Sequence, residues 1–258
     1  YTLDALTSGD GNVGVGYQVL SALTTGGTNT AIGYQAMMES TTGDGNTAVG
    51  NHALENNSTG GSNVAVGRYA LESNTTADDN VAVGYRAAYE NTTGTRNVAV
   101  GTQALDAVTT ANSNTAIGHK ALLLNVTSAD NTAVGNQCLD AAVSGSNTAM
   151  GSRCLTNVTT GSNNTGLGME SGEDLTEGGT NTLIGIQAGQ HITTNGANVC
   201  LGYRAGATQG NLSQSLWIGR DAGAGGNDQI WIYGNSVGAC VQGNNATAWS
   251  QASDERIK

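Results

Sequence analysis

The sequence predicts an all-β chain, a parallel β-solenoid or β-roll of thirteen 17-residue coils. Three observations predict it. An Asn recurs at positions 12, 29, 46, 63, 80, 97, 114 and 131 without a slip; after one dropped residue the same step carries it to 147, 164, 181 and 198. Ser215 takes the thirteenth place, in SLWIG. Behind each of these residues stands a short apolar alternation, as in NTAVG at Asn46 and NVAVG at Asn63 and Asn80. The fifth position of the unit is Gly in all thirteen copies, from Gly16 to Gly219.

Each part of the unit follows from its residue types. The second and fourth positions are Thr or Val and then a larger apolar residue (Val64 and Val66, Thr115 and Ile117, Thr182 and Ile184). Period-two alternation rich in β-branched residues is the pattern of a short strand. The third position is usually Ala (Ala31, Ala48, Ala65, Ala82, Ala99), so a small side chain faces the opposite side from two larger ones. One face fills the coil, and the other is free to meet another chain. A Gly column that never accepts a Cβ implies positive φ or close backbone approach at a corner. The Asn column suits a turn in which the side chain bonds local backbone, or an amide ladder between stacked coils.

After two variable polar positions comes a second apolar pair, such as Ala36-Met37, Ala53-Leu54, Ala70-Leu71, Ala104-Leu105 and Ala121-Leu122. Either a second short strand or a single helical turn suits this pair. A polar stretch then ends in Thr-Thr (Thr41-Thr42, Thr75-Thr76, Thr92-Thr93, Thr109-Thr110, Thr159-Thr160) ahead of a Gly-, Ser-, Asp- or Asn-rich turn. At one strand spacing per coil, ~4.8 Å, the stack is expected to run ~60 Å.

Along the chain, residues 1–11 form a lead-in segment that is expected to pair with the first coil. Coils of Ala-Leu type span 12–163. From 164 to 234 the second pair becomes Ser171-Gly172, Ala188-Gly189, Ala205-Gly206 and Ala222-Gly223, so the cross-section or the partner contact must change there. The period dissolves after Gly234, and 235–252 reads as a C-terminal cap or transition. All three Trp fall late, at 217, 231 and 249, and Trp217 and Trp231 are expected to cap the open edge of the stack.

Composition narrows the function. No Phe, no Pro, 39 Gly and 4% aromatic residues exclude an ordinary globular core of this length. A net charge of −11 with nine Lys and Arg argues against nucleic acid, which needs clustered cations. No apolar run approaches the ~20 residues of a membrane span, and no membrane insertion is expected. The chain starts at Tyr1 without a signal-peptide pattern and reads as a piece of a longer protein. Val and Ile on two faces of so thin a stack leave apolar surface uncovered, and a parallel homotrimer would cover it.

The NTAIGYQA and NTAVG coils with their NTTG turns resemble the repeats of bacteriophage tail fibres, over residues 12 to 234. More loosely they resemble the head repeats of trimeric autotransporter adhesins, which are parallel β-rolls wound as trimers. The closing SDERIK, residues 253–258, resembles the opening of the endosialidase-type intramolecular chaperone that follows many phage fibres. In that family the chaperone trimerises the fibre and then cleaves itself away at the Ser-Asp start, which implies a processing junction at Ser253 and Asp254. The resemblance implies a structural shaft or distal segment of a trimeric viral tail fibre involved in host attachment, on the virion tail and outside the cell. Its implied partners are further copies of itself, other tail-fibre or baseplate proteins, and a host surface glycan. The alternative is a bacterial cell-surface trimeric adhesin stalk or head. A glycan-cleaving spike and an ice-binding solenoid stand behind both.

No enzymatic activity, cofactor or metal is expected. His52, His119 and His191 share no column, and no carboxylate pair recurs beside a base. Asp10, Asp44, Asp78, Asp79 and Asp130 sit in turns ahead of the strands, where bonding to backbone is favoured over holding Ca²⁺. Cys138 and Cys154 share a column in consecutive coils, within disulfide range at ~5 Å. The favoured reading makes them, with Cys200, small buried hydrophobes in Ala slots. Asn57, Asn74, Asn91, Asn125 and Asn157 form N-x-Ser/Thr patterns that follow from the Thr column. The one candidate binding surface is the stripe after the Gly column: Tyr17, Gln18, Tyr34, Gln35, Arg68, Tyr69, Tyr85, Arg86, Tyr203 and Arg204. His119-Lys120 holds the same place. Such a stripe suits sugar binding, but interchain packing or a solvated face is favoured, since repeats in register generate stripes without a ligand.

Overall fold

The computed structural model describes residues 2–207 and 213–223, and the backbone of 230–234, 237–242 and 250–251. The expected processing junction at Ser253 and Asp254 lies outside the described residues, as does Trp249. The chain is a parallel β-solenoid in two compact units, Tyr1–Gln137 and Cys138–Lys258.

The first unit holds one three-residue strand per coil. These are β1 (Val13–Val15), β2 (Thr30–Ile32), β3 (Thr47–Val49), β4 (Val64–Val66), β5 (Val81–Val83), β6 (Val98–Val100), β7 (Thr115–Ile117) and β8 (Thr132–Val134). Each pairs parallel with the next in direct register, so that Val64 meets Val81 and Ala65 meets Ala82. The strands are short because the unit returns to the same edge every 17 residues, but the coil-to-coil bonding continues around the turns. Gly67 N–H donates to Val49 C=O at 2.8 Å, Tyr69 N–H to Asn51 C=O at 3.0 Å and Leu54 N–H to Ala70 C=O at 3.0 Å. The lead-in segment bonds the first coil, with Leu3 N–H on Val19 C=O and Thr7 N–H on Thr24 C=O.

The second unit continues with β9 (Thr148–Met150), β10 (Thr165–Leu167), β11 (Thr182–Ile184), β12 (Val199–Leu201) and β13 (Leu216–Ile218). Strand β14 (Ile230–Gly234) pairs parallel with β13, placing Trp231 opposite Trp217. Then β15 (Val237–Gln242) and β16 (Ser250–Gln251) run antiparallel, which ends the coil-by-coil progression just past Gly234. Trp217 is not an edge cap. It is wholly buried at the centre of β13, in the column that Ala occupies in the first unit.

The core is narrow. It is built from the Ala at the centre of β2 to β8 and the second apolar pair, all buried in the first unit (Ala65, Ala70 and Leu71 in one coil). That pair forms neither a strand nor a helical turn. It lies on tight turns with left-handed residues, Tyr69 at φ 62° and Leu71 at φ 50°, and their counterparts in every coil. Gly67 C=O accepts from Ala70 N–H across a turn whose third residue is Tyr69, the arrangement of a type II turn. A leucine at positive φ costs about 1–2 kcal/mol; here burial of its side chain offsets that cost. The Gly column fulfils both expectations at once. Gly67 has φ 137°, and a Cβ there would sit 2.4 Å from Gly84 O in the next coil.

From residue 164 on, within the second unit, the change from Leu to Gly is a trade of volume inside the core. Gly189 takes the left-handed position at φ 61°, and the strand centre grows from Ala to Leu183. A Cβ on Gly189 would meet Leu183 Cδ2 at 2.6 Å, and one on Gly206 would meet Cys200 Sγ at 2.8 Å and Trp217 Cε3 at 3.0 Å. The large residue has moved across the core from the turn to the strand.

Candidate functional site

The Asn column forms a continuous amide ladder within each unit. Asn46 is wholly buried and uses all four hydrogen-bonding positions of its amide. Its Nδ2 donates to Asn29 Oδ1 at 3.2 Å and to Gly60 O at 2.9 Å. Its Oδ1 accepts from Asn63 N at 2.9 Å and Asn63 Nδ2 at 3.1 Å. An Asp in this column would lack both donors, which accounts for the amide. In the second unit the ladder runs through Asn164, Asn181 and Asn198 to Ser215.

A second ladder escaped the sequence reading. Asn74 Nδ2 donates to Asn57 Oδ1 at 2.7 Å and Asn91 Nδ2 to Asn74 Oδ1 at 3.1 Å, all three buried. These residues share their column with Leu23 and Val108, a sign in the sequence that the position faces inward. Of the N-x-Ser/Thr asparagines, Asn57, Asn74, Asn91 and Asn125 are therefore enclosed, and Asn157, one position out of column, is exposed.

The turn residues serve the backbone. Asp44 accepts from Gly27 N–H at 2.6 Å and Asp78 from Gly61 N–H at 2.7 Å. The first Thr of each pair donates to a carbonyl of the next coil, Thr24 to Thr41 O and Thr75 to Thr92 O, each at 3.0 Å. One hydroxyl of each such pair is thus committed internally, which leaves only the second Thr of the pair exposed. Cys138, Cys154 and Cys200 are buried, and burial pushes the Cys200 thiol pKa up.

The candidate stripe resolves into two columns. Tyr17, Tyr34, Arg68 and Tyr85 stand first after the Gly and are exposed; Gln18, Gln35, Tyr69 and Arg86 stand second and are half-buried. Tyr203 and Arg204 belong to the second unit, where Arg204 reaches Asp221 at 3.8 Å and Arg220 lies over the Tyr203 ring. In the first unit the rings stack on each other along the coils. Tyr17 and Tyr34 are 5.3 Å apart at 15°, Tyr34 meets His52 edge-on at 5.5 Å, and His52 stacks on Tyr69 at 5.3 Å and 27°. The rings thus pack on one another, face to face at Tyr17–Tyr34 and His52–Tyr69 and edge to face between Tyr34 and His52. That suits a stiffening ladder more than a platform for sugar stacking.

The half-buried column faces a third one, five residues after the Gly, across the turn. Arg86 makes a forked pair with Asp106 at 3.0 and 3.2 Å, which raises the Arg86 pKa, and its guanidinium lies 4.0 Å from the Tyr89 ring centroid. In the second unit Arg153 bridges Glu170 and Glu173, with Gln187 and Gln190 behind them. The same facing columns bring His52 beside Glu55, Nδ1 to Oε2 at 2.5 Å, with Glu72 one coil on. The three histidines do not meet, but His52 does meet two carboxylates. The spacing i, i+3, i+20 conceals this unless the 17-residue register is applied to the carboxylates as well.

No family of known proteins, no characterised protein and no solved structure matches the chain.

Proposed function

We propose that this chain is a structural segment of a trimeric viral tail fibre, acting in host attachment by holding and spacing the parts that bind the cell. The observation that carries the reading is the outer face of the strands. Val15 is 56% exposed, Ile117 41% and Met150 46%, and β-branched or long apolar residues repeat at that position in coil after coil. A lone soluble chain gains nothing from a regular apolar ladder on its surface, whereas three parallel copies bury it against one another. The inner face, built mostly from a small strand residue and one or two larger turn residues per coil, is too thin to need a second apolar face for its own packing. The resemblance of the NTAIGYQA-type coils to tail-fibre repeats supports the same reading.

The test is a charge placed on the ladder. Ile117→Lys is expected to dissociate the assembly in sedimentation, because three ammonium groups would meet in an apolar interface. An unchanged sedimentation profile for Ile117→Lys would remove the ladder from the interface and the reading with it.

A further inference from the structure

We propose that His52, Glu55 and Glu72 form a binding site for a first-row divalent transition ion of the zinc class, with a coordination position left open. Each offers one ligand atom, an imidazole nitrogen and two carboxylate oxygens, and the three atoms lie within 4.8 Å of one another. One imidazole and two carboxylates make a donor set that suits zinc and its neighbours better than Mg²⁺ or Ca²⁺, which prefer all-oxygen shells.

Two further observations point to a cation. The Oε2 atom of Glu72 is buried and has no hydrogen-bond partner, although a carboxylate oxygen shut away from water ordinarily takes a donor. The His52 ring is held in place, packed between Tyr34 and Tyr69, so its Nδ1 is aimed at the carboxylates before any ion arrives. Arg86 does not fill the place of the ion, since its guanidinium is spent on Asp106 and Tyr89. The fold explains the meeting: Glu55 and Glu72 are the same position of successive coils, and His52 stands one turn before Glu55. All three ligands come from one chain, so the site stands or falls independently of the trimer.

The test titrates the full chain with zinc chloride by calorimetry, and with Co²⁺ by visible absorption. One zinc per chain is expected at this site. His52→Asn and Glu72→Gln should each weaken binding by roughly tenfold or more, and His119→Asn should leave it unchanged. Equal binding in Glu72→Gln and in the native chain, or no binding at excess zinc, would overturn the proposal. If either variant fails to fold, the imidazole signals of the native chain decide by NMR. Zinc should move those of His52 alone; movement of none, or of His119 or His191 instead, would sink it.

Discussion

At the residue scale, the Asn column is the clearest case of chemistry dictating identity. The amide of Asn46 donates twice and accepts twice, with each partner fixed by the coil above or below. Asn46→Asp is the most economical test. It puts a carboxylate against Asn29 Oδ1 and Gly60 O, two acceptors it cannot satisfy, and is expected to cost about 3 kcal/mol or more of stability. Chemical denaturation measures this, and Asn46→Ser, the residue found at the thirteenth position, should cost less. Glu72 yields a prediction of opposite sign. Its carboxyl pKa is raised on folding, first by burial and then by Glu55, so the folded state carries a penalty while the group is ionised. That penalty is full above the raised folded pKa and disappears below the ordinary carboxyl pKa, where the group is protonated in both states. In chelator-treated protein, Glu72→Gln should therefore raise Tm at neutral pH, and the gain should shrink as the pH falls through the carboxyl range. A gain that persists into acid would show that removing the charge was not the cause.

At the element scale, the coil has a narrow core whose volume is shared between turn and strand. The coil of Asn63 places its large side chain on the turn, as Leu71 with Ala65 at the strand, and the coil of Asn181 places one on the strand, as Leu183 opposite Gly189. The two solutions are interchangeable only as pairs. Gly189→Leu alone is expected to destabilise by overpacking, about 1–3 kcal/mol, and Leu183→Ala alone by leaving a cavity, about 2–5 kcal/mol. The double variant recreates the first unit's pair and should recover much of both losses, a coupling of about 1–3 kcal/mol measurable in a double-mutant cycle. Additive losses would contradict the trade. The backbone is ready for the exchange, because Leu20, Leu54, Leu71, Leu105 and Leu122 already occupy this left-handed position in the first unit.

The strand, its register and the Gly corner were legible in the sequence because a strict period converts sequence distance into spatial neighbourhood. The turn that carries the second apolar pair was not. Leu71 at positive φ violates the local preference of leucine, and only the enclosed core makes it acceptable. Trp217 was misplaced at an edge because its position near the end of the period suggested a cap, whereas the glycine at Gly206 makes room for it inside. At the candidate site, the exposed tyrosines were visible as a column, but their stacking was not, since ring orientation is decided by packing between coils. The grouping of His52, Glu55 and Glu72 was hidden because it joins two columns across a turn whose shape could not be read in advance.

At the scale of the whole molecule, the two faces of each strand bear on the proposed assembly. The inner face is closed by small and apolar side chains of the chain itself; the outer face repeats Val, Ile, Leu and Met, partly or well exposed among the described residues. Such a surface on an acidic chain of net charge −11 implies association directed by the apolar ladder, with the charge limiting further clustering. The mass of the native chain in solution, measured by multi-angle light scattering after size exclusion, tests this most directly. The account predicts a single species of three times the 25.9 kDa chain mass; a stable species at the mass of one chain would contradict it.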